Sequence, residues 1–331
     1  MASDIVNVLT IDLEDYFMVS AFESVVRRED WDKYESRIER NTHRLLNIMN
    51  GSLRTPNSEL RTPVRATFFC LGWVAEHYPH LIKEIYQQGH EIASHSYDHQ
   101  LVYNMTSEQF RKDVVTSKRI LEDITGKEVI GYRAPSYSIT GKTLWALGIL
   151  AEEGYRYDSS IFPIHHDRYG IPDAPRFPFI ISLNGNSNFE SKITLNFDLQ
   201  TPKLGMLGSA AAPKCSNPQS EIRNPKSILE IPLSTVKLFG INVPISGGGY
   251  MRLLPYGLIS RGLAKINQDE KHPFVFYLHP WELDPEQPRM NNISVLSKFR
   301  HYTNLHGTAD KLKRLLNDFS LSSMEHVIGL K

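Results

Sequence analysis

The chain has 331 residues, 41% of them apolar and 22% charged, which fits an ordinary folded protein and argues against a disordered chain or a coiled coil. Lys plus Arg and Asp plus Glu number 37 each, with no local segregation of sign, so nothing electrostatic favours nucleic acid or an anionic membrane as partner. The start, "MASDIVNVLTIDLED", lacks the basic residues and long apolar core of a secretory signal, and no stretch reaches membrane-spanning length; the sequence reads as cytoplasmic.

Short apolar runs alternate with amphipathic helical patterns for most of the length, the signature of βα units around a mostly parallel sheet. The length allows two ordinary domains or one α/β barrel with extensions. "NVLTID" reads as the first strand. "ATFFCLG" reads as the second, with Cys70 as a buried free thiol; Cys70 and Cys215 are too few for a disulfide framework. The helix "YPHLIKEIYQQG" follows, with Pro79 at its start and Gly89 at its stop. "HEIASHS" is a third strand. In "TSEQFRKDVVTSKRILEDITG", Thr106 and Gln109 form a capping box, Phe110, Val114, Leu121 and Ile124 share a face, and Gly126 closes the helix. "EVIGYRAP" gives a fourth strand, "TGKTLWALGILAEEG" a helix and "YRYDSS" a fifth strand, in which Asp158 caps a turn or orients a neighbour. "PFVFYLHP" is a late strand and "TADKLKRLLNDF" a terminal helix.

Two segments break this pattern. Leu53-Arg54-Thr55-Pro56 recurs as Leu60-Arg61-Thr62-Pro63, and Asn217-Pro218 recurs as Asn224-Pro225. Both are rich in Pro, Asn and Ser, and residues 50–64 and 183–227 are expected to be surface insertions in a single catalytic domain. Residues 228–331 would then hold the late barrel strands and a C-terminal extension.

The groups that carry chemistry cluster at strand ends. His95 and His99 stand four apart in "EIASHSYDHQ", a spacing from which both rings can reach one cation. Asp12, Glu14 and Asp15 crowd the end of the first strand, an arrangement that needs a cation or a raised pKa unless it is a solvated turn or a helix cap. Arg133 and Pro135 follow the fourth strand, and His279, Trp281 and Glu282 follow the last clear one. In α/β barrels the C-terminal strand ends converge on one rim.

The "LTID" strand end with Asp12, the His-x-x-x-His after "GHEIAS", "RAP" preceded by Gly-Tyr, and "LHP" resemble, in order and spacing, the polysaccharide deacetylases of carbohydrate esterase family four, related to the rhizobial chitooligosaccharide deacetylase. The resemblance spans roughly residues 5–165 and 270–280. The forms "TIDLEDYFMVSAFE", "SGGGYMRLLPY" and "HPWELDPEQPR" further resemble the subgroup found beside exosortase and exopolysaccharide gene clusters, which carries a C-terminal extension of undefined role.

What the resemblance implies is a distorted (β/α) barrel with one divalent metal ion, usually zinc, that removes acetyl groups from an N-acetylated polysaccharide or oligosaccharide, in association with an exopolysaccharide synthesis system. It gives Asp12 the place of the general base, His95 and His99 those of metal ligands, Arg133 that of the residue orienting the base, and His279 that of the general acid. The family's common pattern has two adjacent aspartates, whereas here Leu13 follows Asp12. Glu14, on the same strand face as Asp12, or Asp15, if the strand has ended, would complete the ligand set. Pro135, Tyr137, Tyr250 and Trp281 are expected to contact substrate. Tyr16 and Phe17 can equally be core. Gly247-Gly248-Gly249 lacks the Lys and helix of a phosphate loop and reads as close backbone approach to the site.

Overall fold

The computed structural model describes residues 5–51, 64–183 and 227–330. Both expected insertions lie almost wholly outside the described residues, as does Cys215.

The apolar run at the start forms β1 (Asn7–Leu13), buried along its whole length. It pairs in parallel with β2 (Thr67–Cys70), and β3 (Glu91–Ser94), β4 (Gly131–Tyr132) and β5 (Tyr157–Asp158) extend the sheet in sequence order. Each step is a parallel crossover, which needs a connecting segment long enough to return over the sheet. Helices α1 (Ile38–Gly51), α2 (Gly72–His77), α3 (Pro79–Gln87), α4 (Ser107–Thr125) and α5 (Trp145–Glu152) supply it. α4 begins with the reciprocal Thr106–Gln109 capping box and ends at Gly126 in the left-handed conformation, as its sequence predicts.

Beyond β5 the order departs from the sequence. β6 (Phe179–Ser182) runs antiparallel on β7 (Ser227–Glu230), which pairs in parallel with β5. On the other edge of β1 lie β10 (Val275–Leu278) and, at the strand's start, β11 (Leu321–Ser322). The order is therefore β10-β1-β2-β3-β4-β5-β7-β6, a barrel-like curve without a backbone ladder between its two ends among the described residues. The gap after β7 is bridged by a side chain: Ser234 Oγ accepts the Val275 N–H at 2.8 Å, satisfying a backbone donor that a missing strand would have taken. A separate hairpin, β8 (Thr235–Leu238) and β9 (Ile241–Pro244), leaves the barrel there. The fold is an α/β barrel, distorted and open. No helix among the described residues is long and apolar enough to cross a membrane.

The core is aromatic and aliphatic, with Phe68, Phe110, Phe274 and Phe276 fully buried. Tyr16 and Phe17 belong to it: both are about 1% exposed, and Phe17 stacks on Tyr34 at 5.2 Å. The bottom of the barrel is closed by the short helix Met324–Val327, whose first N–H groups bond to Thr67 Oγ1 (2.7 Å) and to Glu91 Oε2 (2.9 Å). Glu91 also accepts from Thr67 Oγ1 at 2.5 Å and from Tyr157 OH at 2.7 Å.

Burial outweighs these donors and raises the Glu91 carboxyl from 4.5 to about 7. The folded state thus holds a proton that the unfolded chain has lost between about pH 4.5 and 7, so this contribution to stability is full at low pH and disappears as pH rises through 7. Between pH 4.5 and 8 the protein should lose on the order of 3 kcal/mol more stability than Glu91→Gln, read from urea unfolding at each pH. Parallel pH curves for the two proteins would contradict this assignment.

Candidate active site

Strand register decides which side chains meet. Ile11 is level with Leu278, so Asp12 stands beside His279; Leu13 is level with Cys70 and Cys70 with Ser94, so His95 emerges just past the end of β1. Ser94 is level with Tyr132, which puts Arg133 next to His95. Groups more than 260 residues apart in sequence thus share one rim, at the C-terminal ends of β10, β1, β3 and β4.

Arg133 is fully buried and held at every nitrogen. Nη1 donates to Asp12 Oδ1 (2.7 Å) and Thr10 Oγ1 (2.8 Å), Nη2 to Ser159 Oγ (3.0 Å) and Nε to the Ser159 carbonyl (3.1 Å). The guanidinium lies 4.1 Å from the Phe69 ring centroid. This fixes Asp12 through one oxygen. Its other oxygen, Oδ2, is 3.9 Å from Nε2 of His279.

The carbonyl of Arg133 accepts from Nδ1 of His95 at 2.7 Å. A carbonyl can only accept, so Nδ1 carries the hydrogen and Nε2 keeps a lone pair, the tautomer and orientation that outer-sphere bonds give to metal-binding histidines. His99, in the left-handed conformation (φ 59°), turns its Nε2 to within 3.2 Å of Glu14 Oε2, with Ser20 Oγ 3.5 Å from its Nδ1. The His95 and His99 ring centroids are 5.6 Å apart. Burial lowers the pKa of both rings, that of His99 to about 4 despite the opposing charge of Glu14, so both are neutral at neutral pH and can offer lone pairs.

Glu14 lies between His99 and His279, whose Nε2 is 3.0 Å from Glu14 Oε1. Burial would raise its pKa, but the flanking histidines outweigh that and hold it down to about 2. Glu14 Oε2 is buried without a hydrogen bond. A buried anionic oxygen in that state, beside neutral imidazoles, suits a cation, and His-His-carboxylate is the donor set of a zinc site with open positions. Among the described residues no group of three or more His, Cys, Asp or Glu is already drawn together closely enough to hold a metal ion.

Asp15 is placed elsewhere. β1 has ended at Leu13, and Asp15 Oδ2 accepts the backbone N–H of Arg37 (2.7 Å) and Ile38 (3.1 Å) and the Ser36 hydroxyl (2.9 Å), while Oδ1 accepts the Tyr16 N–H (2.8 Å). It caps the start of α1 rather than facing the histidines.

On the remaining side, Nδ1 of His279 is 2.6 Å from Glu282 Oε1, and Arg252 Nε donates to Glu282 Oε2 at 3.1 Å. Burial works against charge on His279, yet Glu14 and Glu282 prevail and push its pKa up to about 10. Arg252 was not among the sequence candidates. An arginine in "GYMRLLP" reads as a surface residue, and its partner is 30 positions away.

These groups line an open groove of ≈ 1000 Å³, walled also by Tyr103, Tyr169 and Arg300. Tyr137 and Tyr250 reach it; Tyr137 is otherwise packed on Tyr277 (5.3 Å) and Tyr169 (5.6 Å). Pro135 is buried and starts the turn in which Ser136 (φ 48°) and Tyr137 (φ 56°) both adopt left-handed backbone, a strained pair at the rim. Trp281 also lines the groove, but protein groups pack on its ring. It is 4% exposed, with His301 stacked at 4.1 Å, His279 at 5.1 Å and the Arg252 guanidinium 5.4 Å from its ring, so its ring is occupied by protein groups. Asp158 accepts from the Ser160 hydroxyl (2.6 Å) and N–H (3.2 Å), the turn-capping role, with buried Glu230 level with it on β7.

Residues 61–157 match the family model for polysaccharide deacetylase, and residues 202–329 match that of a domain of unknown function, DUF3473. A peptidoglycan deacetylase of Helicobacter pylori is 32% identical over 102 residues, 31% of this chain and 33% of that protein. Chitin deacetylase 1 of Bombyx mori is 30% identical over 34% of this chain and 21% of its own length. The chain thus spans a third or less of these curated relatives. A Mycobacterium smegmatis structure assigned as a polysaccharide deacetylase aligns over 100% of this chain and 92% of its own, with a TM-score of 0.55 at 16% identity, which bears on the fold alone. The deacetylase match lies across β2 to β5, so this part of the barrel is similar to the polysaccharide deacetylases.

Proposed function

We propose that the protein is a metal-dependent de-N-acetylase acting on an N-acetylated glycan of the cell envelope or an exopolysaccharide. One observation carries this reading. Asp12 held by Arg133, two neutral histidines beside a buried carboxylate, and His279 opposite them all face one groove. The groove is at the upper end of ligand-pocket volumes, which suits a polymer segment better than a small amide. Relatives named for peptidoglycan and chitin deacetylation support the same substrate class.

An acetamide resists hydrolysis because its carbonyl is a weak electrophile and its amine a poor leaving group. His95, His99 and Glu14 would hold a divalent cation, with zinc suited to this donor set, which supplies Lewis-acid stabilisation of the charge that develops on the acetyl oxygen. Asp12 accepts the proton of the attacking water through its free oxygen, while Arg133 holds that carboxylate in position. Nε2 of His279 delivers a proton to the departing sugar nitrogen. Each proton transfer is worth roughly 10² to 10⁴-fold.

Acetate release from N-acetylglucosamine oligomers, measured on the metal-loaded protein and after chelation, tests the reading. Release that stops with chelator and returns with added metal is expected. Release indifferent to chelator would remove the metal from the account. Binding of the oligomers without acetate release would indicate a sugar-binding protein instead.

A further inference from the structure

We propose that the segment matching the domain of unknown function is the acid half of the active site, in which a buried Arg252–Glu282 pair fixes the tautomer and aim of His279. The proposal rests on the deacetylase reading of the rim. The deacetylase model covers residues 61–157 and contains none of these three residues; all of them fall within residues 202–329.

Glu282 is 1% exposed and Arg252 4%. Burying two charges costs several kcal/mol per ion and is sustained only by close pairing and further hydrogen bonds. Both conditions are met. Glu282 gives one oxygen to Arg252 Nε and the other to Nδ1 of His279. Arg252 spends Nη1 on the carbonyls of His301 (2.8 Å) and Thr303 (3.2 Å), which ties the pair to the end of the helix Val295–Tyr302.

The Gly-rich stretch before Arg252 belongs to the same device. A side-chain carbon at Gly248 would stand 1.8 Å from Glu282 Oε2, and one at Gly247 (φ 126°) 2.3 Å from the Tyr277 ring. Only glycine lets the short helix Gly248–Leu253 lie this close to the Glu282 carboxylate. Trp281 stacks on the His279 ring from the side.

The consequence is chemical. With Nδ1 engaged by Glu282, Nε2 is the nitrogen that faces Asp12 and Glu14. A histidine without that acceptor could present either nitrogen, or rotate away. In the reaction the C–N bond breaks with its electron pair going to the sugar nitrogen, which takes the Nε2 proton, and the water oxygen stays with acetate. Arg252 and Glu282 touch no reacting atom, so they are positioning residues.

A merely structural pair and a positioning pair differ in leaving-group dependence. 4-Nitrophenolate departs without a proton, whereas an amine does not. In metal-loaded protein, Glu282→Gln should lower kcat on N-acetylglucosamine oligomers by about 10²-fold with KM within about twofold, but kcat on 4-nitrophenyl acetate by less than about threefold, as expected when only acid catalysis is impaired. His279→Ala should show the same split. Arg252→Lys should recover most of the amide activity lost in Arg252→Met, and this pair carries the comparison should Glu282→Gln fail to fold.

A second readout is independent of turnover. In protein labelled with ¹⁵N-histidine, the hydrogen-bonded Nδ1 proton of His279, recognised by its absence from His279→Ala, should vanish in Glu282→Leu, which offers no acceptor. Equal losses on amide and ester, or persistence of that proton signal, would overturn the proposal. If the parent protein releases no acetate from the oligomers, the deacetylase reading fails, and the proton signal alone still decides whether the pair holds His279.

Discussion

Asp12→Asn is expected to lower kcat by about 10² to 10⁴-fold while the protein keeps its metal, because the amide retains the shape of the carboxylate but cannot take a proton at neutral pH. The geometry makes this change clean at the metal side: Oδ1 of Asp12 is committed to Arg133, and Asp12 is level with His279 rather than with the His95–His99 pair. It is less clean for stability. Arg133 is fully buried, and an asparagine still accepts its hydrogen bond but leaves the guanidinium without a counter-charge. Losing one partner of a buried ion pair costs about 3–5 kcal/mol, so a lower unfolding midpoint should accompany the lost turnover. Activity must therefore be measured well below that midpoint. Loss of metal from Asp12→Asn, with metal retained in Glu14→Gln, would make Asp12 a ligand and leave the reaction without this base.

The second large effect is on the metal itself. His95→Ala and His99→Ala should each weaken binding by more than about 100-fold, since removal even of an outer-sphere partner of a ligand typically costs 10 to 100-fold. Glu14→Gln should weaken it too, with part of the rate restored by excess metal. Asp15→Asn is the contrasting variant. Its Oδ2 holds the start of α1, so the loss should appear in stability, by about 1–3 kcal/mol, with metal stoichiometry unchanged. Full metal occupancy in both histidine variants would sink the assignment.

The parts of the fold that can be read from the chain are those whose information is local. β1, β2 and β3 are apolar runs bounded by breakers, and α4 announces both of its ends, by Thr106–Gln109 and by Gly126. β6 and β7, the β8–β9 hairpin and the helices Gly248–Leu253 and Val295–Tyr302 are short, or carry apolar residues on exposed positions such as Phe239, Val295 and Phe299. Their periodicity therefore says little.

The site divides in the same way. Asp12, His95, His99, Arg133 and His279 sit at strand ends next to legible strands. Asp15 could be separated from Glu14 only by seeing that the start of α1 takes its Oδ2 and the Tyr16 N–H its Oδ1. Arg252 and Glu282 meet through tertiary packing across 30 residues, and their trace in sequence is Gly248, where a side chain would collide with the Glu282 carboxylate. Trp281 lines the groove as its place beside a catalytic motif suggests, but the stacking of His301 on its ring is a tertiary contact that the sequence does not show.

The most direct test of the account is the location of the metal. Crystals grown with zinc, with anomalous differences collected at its absorption edge, should show one peak about 2.0–2.2 Å from Nε2 of His95, Nε2 of His99 and a carboxylate oxygen of Glu14, with Asp12 outside the ligand set. A peak liganded by Asp15, or by Asp12 in place of Glu14, or no peak at this rim under saturating zinc, would contradict it.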